Sequence, residues 1–196
     1  MLTLDTKINE GDEREVYLHP LDPSRIVKIM KPGHDTQRWD RNQGELAYYE
    51  RLNDGQKSRL SALYGLVETN RGRGSIAQFI RDADGRASSP VHVHVETGHL
   101  TVAQAEAMLD DFFAWADRNA IALVTANMSN FLCQLDENGT SRLVMIDGFG
   151  PASMTLKWRL RLRVPALVRV RTAKTRQRVM AKWRVWSADL AQRRTH

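Results

Sequence analysis

The chain has one cysteine, Cys133, which excludes an intrachain disulfide and any cysteine-based zinc site. No apolar run approaches the ~20 residues that a membrane-spanning helix needs. The first residues, MLTLDTKINEGDERE, lack a basic stretch followed by an apolar one, so no secretory leader is expected. There is no internal repeat and no low-complexity tract. With 12 Gly and 6 Pro in 196 residues, the composition is neither collagenous nor disordered. The length allows one domain, or one domain and an appendage. These features lead us to expect a cytoplasmic protein.

Acidic residues are scarce in one region. Residues 151–196 hold 13 Lys/Arg against a single acid, Asp189, a net charge of +12. Of the 29 basic and 23 acidic residues of the chain, 16 and 22 therefore lie in residues 1–150, which carry −6. So sharp a change of sign divides the chain into a folded module, 1–150, and a basic amphipathic tail, 151–196.

Two β-prone runs, Glu15–Leu18 and Ile26–Ile29, flank a turn with prolines at 20 and 23. Gly11 lies in a polar turn before them. Leu46, Tyr49 and Leu52 at helical spacing predict a helix over 37–53. Gly65–Thr69 and Ser75–Ile80 flank Asn70–Gly74 as a hairpin. Thr101, with Gln104 three residues on, predicts a capped helix over 102–119 with a wide apolar face. Phe131–Leu135 and Arg142–Ile146 form a second predicted hairpin, which runs directly into Asp147-Gly148-Phe149-Gly150. This order is α+β, not the alternation of a Rossmann domain.

Polar residues punctuate this order where a kinase-like fold places its nucleotide machinery. Gly11 lies in a turn between the first strands. Lys28 ends an apolar strand, with Lys31 as its competitor. Glu45 lies on the following helix, with Glu50 as the alternative. Asn130 follows the loop after the long helix, and Asp147 ends the second hairpin. A lysine steadies α/β-phosphates and an acid holds that lysine in place. A carboxylate and an amide oxygen are hard ligands suited to Mg²⁺. Arg14, beside the glycine turn, is placed to reach a phosphate.

The stretch Gly11-Asp12-Glu13-Arg14-Glu15-Val16-Tyr17-Leu18-His19-Pro20, followed by Ile26-Val27-Lys28, resembles the opening of the YrbL family of PhoP regulatory network proteins, which is counted among kinase-like proteins. Leu66–Gly74, Ser129-Asn130-Phe131-Leu132 and Ile146-Asp147-Gly148-Phe149-Gly150 resemble it in the same order. The resemblance implies a reduced protein kinase-like fold with an N-terminal β-lobe, a small helical lobe and a basic helical tail, holding ATP and Mg²⁺ between the lobes. Gly11, Arg14, Lys28 and Glu45 would then serve the nucleotide, with Asn130 and Asp147 on the metal.

Two departures stand out. The kinase pattern puts an aspartate five residues before the loop asparagine to accept the substrate proton. Here that residue is Thr125, and no acid occurs from Ile121 to Asn130. Only 46 residues follow Gly150, too few for an activation segment and a full helical lobe. Two readings follow: a phosphotransferase acting on a cell-envelope sugar or another small acceptor, and a catalytically impaired pseudokinase serving as a regulatory module.

His92 and His94 alternate on what reads as an extended segment or solvated loop, near Glu96 and His99. Strand spacing would put both rings on one face, but no third ligand is fixed beside them. In the tail, Lys157–Val164 alternates as in a strand or a loose amphipathic helix. After Pro165, apolar residues including three-to-four-spaced tryptophans predict a basic helix. Its apolar face is expected to pack on the module while its charge brings the protein to the anionic inner surface of the inner membrane. No groove-reading motif is present, so no specific nucleic acid is expected.

Overall fold

A computed structural model describes residues 1–33, 41–139 and 141–195. Strands β1 (Lys7–Glu10), β2 (Arg14–Leu18), β3 (Arg25–Met30), β4 (Leu63–Thr69) and β5 (Gly72–Gln78) form one antiparallel sheet in the order β1-β2-β3-β5-β4. The corner between β2 and β3 is fixed by Asp22, whose carboxylate accepts from the Ser24 amide at 2.9 Å. The β4–β5 hairpin is tighter than the sequence predicts. Gly72–Gly74 belong to β5, pairing with Thr69–Val67, and the turn shrinks to Asn70-Arg71.

Register decides which side chains meet. Arg14 pairs with Met30, and Lys28 pairs with Val16 on one side and Ser75 on the other. Directly opposed residues, and residues two apart, share a face. Arg14, Lys28 and Ser75 therefore leave the sheet on the same face. Helix α1 (Arg41–Tyr49) carries Asn42 and Glu45 there. It is shorter than the predicted 37–53; residues 37–40 lie outside the described residues. Beyond Tyr49 the chain tightens into turns, and Asn53 caps the short helix α2 (Asp54–Lys57) through a box with Gln56.

The second layer is built on β6 (Ser89–Pro90), α3 (Val91–Glu96), α4 (Val102–Arg118), the hairpin β7 (Phe131–Leu135) and β8 (Ser141–Met145), and the tail helices α5 (Leu156–Leu162) and α6 (Pro165–Thr195). Helix α4 has the predicted Thr101–Gln104 capping box and buries Ala105, Leu109, Phe112, Phe113, Trp115 and Ala116. Phe112 and Phe113 meet Phe131 edge-on, centroids 5.1 and 5.7 Å apart, which locks α4 to β7. Cys133 is fully buried in this core.

Residues 91–96 are helical rather than extended or looped, which corrects the sequence reading of the histidines. Val91 and Val95, one helical turn apart, are both fully buried, and that packing overrides the β preference of three valines. Residues two apart on a helix point to different sides. His92 accordingly meets the Trp186 ring and His94 meets His99. Among the described residues no group of three His, Cys, Asp or Glu side chains could hold a metal ion.

The tail helix docks along one face. Val168, Thr172, Thr175, Val179 and Trp183 are buried at three-to-four spacing. The two threonines satisfy main-chain groups of a segment without regular structure. Thr172 Oγ1 donates to Ile121 O at 2.5 Å and accepts from the Leu123 amide, and Thr175 Oγ1 donates to Leu123 O at 2.8 Å. Trp183 is fully buried and its indole donates to Glu106 at 3.1 Å. Among the described residues no helix is long and apolar enough to cross a membrane.

Candidate functional site

At the centre lies a buried charge cluster assembled from four elements. Arg14 Nη1 on β2 donates to Glu45 Oε2 at 2.9 Å and to Asn42 Oδ1 at 3.0 Å, both on α1. Its other terminal nitrogen forms an ion pair with Asp147 Oδ2, just beyond β8. Lys28 Nζ on β3 donates to the Ile146 carbonyl at 2.5 Å. Asn42 ties the cluster to the sheet, donating to Lys28 O at 3.3 Å and accepting from Ser75 Oγ at 3.1 Å.

The convergence has local causes. Asn42 and Glu45 are three apart on α1 and so share a face. Gly44, between them, lets the helix lie against the chain after Gly150, because a side chain there would run into the backbone of Pro151 and Ala152. Gly148 has φ +87°, and a Cβ on it would sit 2.8 Å from the Ala126 nitrogen. Its carbonyl accepts from the Val124 and Thr125 amides at 2.8 and 3.2 Å. The glycine therefore lets the chain after Asp147 turn against the 124–126 loop. Tyr48 adds a second tie, its hydroxyl accepting from the Ala122 amide at 2.8 Å.

The electrostatics follow from this packing. Burial raises the cost of ionising Asp147, but the charges of Arg14 and Lys28 outweigh it and hold the carboxyl well below its usual range. Burial works against the Arg14 cation too, yet Asp147 and Glu45 raise its pKa above the ordinary value. Lys28 moves the other way. Burial and the Arg14 charge lower its pKa, and Glu45 and Asp147 offset this only in part. Asp147 Oδ1 and Glu45 Oε1 are buried with no hydrogen-bond partner among the described residues.

Lys28, Glu45, Arg14 and Asp147 come together. Lys28 is buried, whereas Lys31 reaches outward toward Glu10. Glu45 is buried, and Glu50 is exposed beyond the end of α1. The direct partner of Glu45 is Arg14, not the expected Lys28: the guanidinium can span two carboxylates at once, and Lys28 turns to a carbonyl. Asn130 ends a 3₁₀ turn (Met128–Asn130), and its carbonyl accepts from the Ile146 amide at 3.0 Å, next to Asp147. Gly11 lies in the β1–β2 turn, its amide donating to Arg14 O at 2.8 Å. Thr125 is exposed and its hydroxyl accepts from Arg41, which also pairs with Glu13 of that turn. Sequence reasoning missed Asn42 and Arg41. The signal for Asn42 was its place three residues before Glu45.

A cavity of about 380 Å³ lies elsewhere, lined by Arg81, Asp82, Gln134, Leu135, Asp136 and Arg142 among others. It sits at the far end of the β7–β8 hairpin from Asn130 and Asp147.

A family model described as PhoP regulatory network protein YrbL matches residues 1–185. The chain belongs to the YrbL family. The YrbL proteins of Escherichia coli (strain K12) and Shigella flexneri are each 27% identical to it over 158 residues, covering 78% of this chain and 74% of theirs. Among solved structures, the kinase domain of Mycobacterium tuberculosis PknI superposes with a TM-score of 0.51, and its C20A_R136A double mutant with 0.52. Both are 15% identical over 78% of this chain, which spans 60% of those domains. The fold is thus a reduced protein kinase-like fold, and the sheet layer and the helical layer correspond to its two lobes.

Proposed function

We propose that the cleft around Lys28, Glu45 and Asp147 binds ATP with Mg²⁺, and that the protein is a kinase-like phosphotransferase acting on a small acceptor such as a cell-envelope sugar. One observation carries the reading. Lys28 is a buried ammonium whose hydrogen bond ends on a neutral carbonyl, beside an aspartate with an unpartnered buried oxygen. Such groups are costly to keep unless a ligand completes them. Among the described residues no carboxylate forms an ion pair with Lys28, so its ammonium can turn to a phosphate. Glu45 and Asn42 hold Arg14, and Arg14 holds Asp147 by Oδ2, leaving Oδ1 for a ligand.

The donor set suits Mg²⁺. Asp147 Oδ1 and the Asn130 amide are hard oxygens, and the metal would screen the triphosphate charge. Arg41 and Glu13 fasten the Gly11 turn to the Thr125 loop, which supports a role for that turn in covering the nucleotide.

A second reading, a catalytically impaired pseudokinase acting as a regulatory module, is favoured by Thr125. A neutral threonine hydroxyl is far too weak a base to take a substrate proton at neutral pH, and this one is engaged by Arg41.

Thermal-shift titration with ATP and Mg²⁺ tests the binding reading. Ligand at about a hundred times Kd adds ~2.7 kcal/mol, roughly 5–10 °C for a chain of this size. The shift is expected in the wild type and absent in Asp147→Ala. No shift in the wild type removes the reading. Phosphoryl-transfer assays then separate the two forms of it.

A further inference from the structure

The α5–α6 corner presents an apolar stripe to solvent. Leu156 and Leu160 stand one turn apart on α5, on the side opposite Trp158 and Leu162, which pack on the core. The stripe continues through Val164 to Leu167 and Val170 of α6, on the side away from buried Val168. These five side chains are 44–73% exposed. Isolated exposed leucines need no explanation, but five large apolar side chains exposed within fifteen residues of two adjoining helices do.

The row is flanked by cations. Lys157, Arg159, Arg161, Arg163, Arg169, Arg171 and Lys174 lie within it or beside it, and no acid occurs between Pro151 and Ala188. Several of these side chains bond the protein through carbonyl oxygens: Arg159 to Met154, Arg169 to Asp117 and Arg171 to Val124. Arg161 lies over the Trp158 ring. Carbonyls and rings orient the cations without cancelling their charge. Further along α6, by contrast, Arg176 is paired with Asp110.

From this we infer that the α5–α6 corner is a docking surface for an anionic lipid bilayer, with the leucines entering the interface and the lysines and arginines meeting headgroup phosphates. This goes beyond nucleotide binding and does not depend on it. Charge complementarity selects an anionic partner. The apolar row on the outside of two helices favours the lipid interface over nucleic acid, which would bury none of it. Along the rest of α6 one face is committed to the core through Thr172, Thr175, Val179 and Trp183, and Val185 is the one large apolar side chain among the described residues that stands well exposed there, so the apolar contact centres on the corner.

The test is co-sedimentation of the full chain with sucrose-loaded vesicles of phosphatidylcholine, with and without phosphatidylglycerol. Binding is expected only to the anionic vesicles and should weaken with salt. K157Q/R163Q should weaken it roughly thirtyfold, given the strength of each basic contact near a charged surface. L156S/L160S should weaken it comparably while leaving the melting temperature in place. K182Q/R184Q, on the far half of α6, should change it far less. Absence of sedimentation with anionic vesicles overturns the proposal. So does binding that survives L156S/L160S, or that falls equally in K182Q/R184Q.

Discussion

Arg14 is the side chain on which the charge cluster turns, and replacing it by methionine is a direct probe of that claim. In the folded protein its guanidinium meets Glu45 and Asp147 at once and is itself only 5% exposed. Arg14→Met keeps an apolar stem of similar length and strands two carboxylates, leaving Lys28 and Arg41 as nearby cations. Removing one partner of a buried ion pair typically costs about 3–5 kcal/mol, because the other charge stays desolvated and uncompensated. For a chain of this length each kcal/mol lowers the melting temperature by roughly 2–4 °C, so a fall on the order of 10 °C is expected. Urea unfolding of Arg14→Met, Glu45→Gln and the double variant measures the coupling. The double variant should be clearly less destabilised than the sum of the single ones, since Glu45→Gln removes the charge that Arg14→Met strands. Arg14→Lys should restore part of the loss, because one ammonium cannot span both carboxylates as a guanidinium does. A loss under about 1 kcal/mol in Arg14→Met, or strict additivity, would refute the reasoning.

The same cluster sets an acid response. Asp147 is held below its ordinary value of 3.8, so its stabilisation is present above that pH and is lost as pH falls through the lower folded-state value. Wild-type stability should therefore drop more steeply below about pH 4 than that of Asp147→Asn, read by urea midpoints across pH. At Gly148, an alanine must adopt a positive φ against the Thr125–Ala126 backbone. Gly148→Ala should cost about 2 kcal/mol or more by thermal unfolding, and should loosen the 124–126 loop in hydrogen exchange.

Much of the fold was legible because local signals and tertiary demands agree. The Thr101–Gln104 box, the apolar face of α4 and the hairpin ending in Asp147 are all local patterns, and each appears in the structure. The shared face of Arg14 and Lys28 came only with the β2–β3 register. What sequence did not reveal is pairing across long separations. Arg14 and Asp147 are distant in the chain, and nothing local shows that a guanidinium would take Glu45 and leave Lys28 to a carbonyl. Residues 91–96 misled for the opposite reason: alternating valines and histidines carry a strand pattern, but burial of Val91 and Val95 selects a helix. In the tail, Thr172 and Thr175 obscure the docking face, because hydroxyls bonded to Ile121 and Leu123 count as polar in a pattern yet are buried in the structure.

Calorimetric titration of Mg²⁺–ATP into the wild-type chain and Lys28→Met tests the central claim most directly. One saturable site is expected in the wild type and its loss in Lys28→Met, with the variant still folded by circular dichroism. No binding heat in the wild type, or the same affinity in both, would contradict the account.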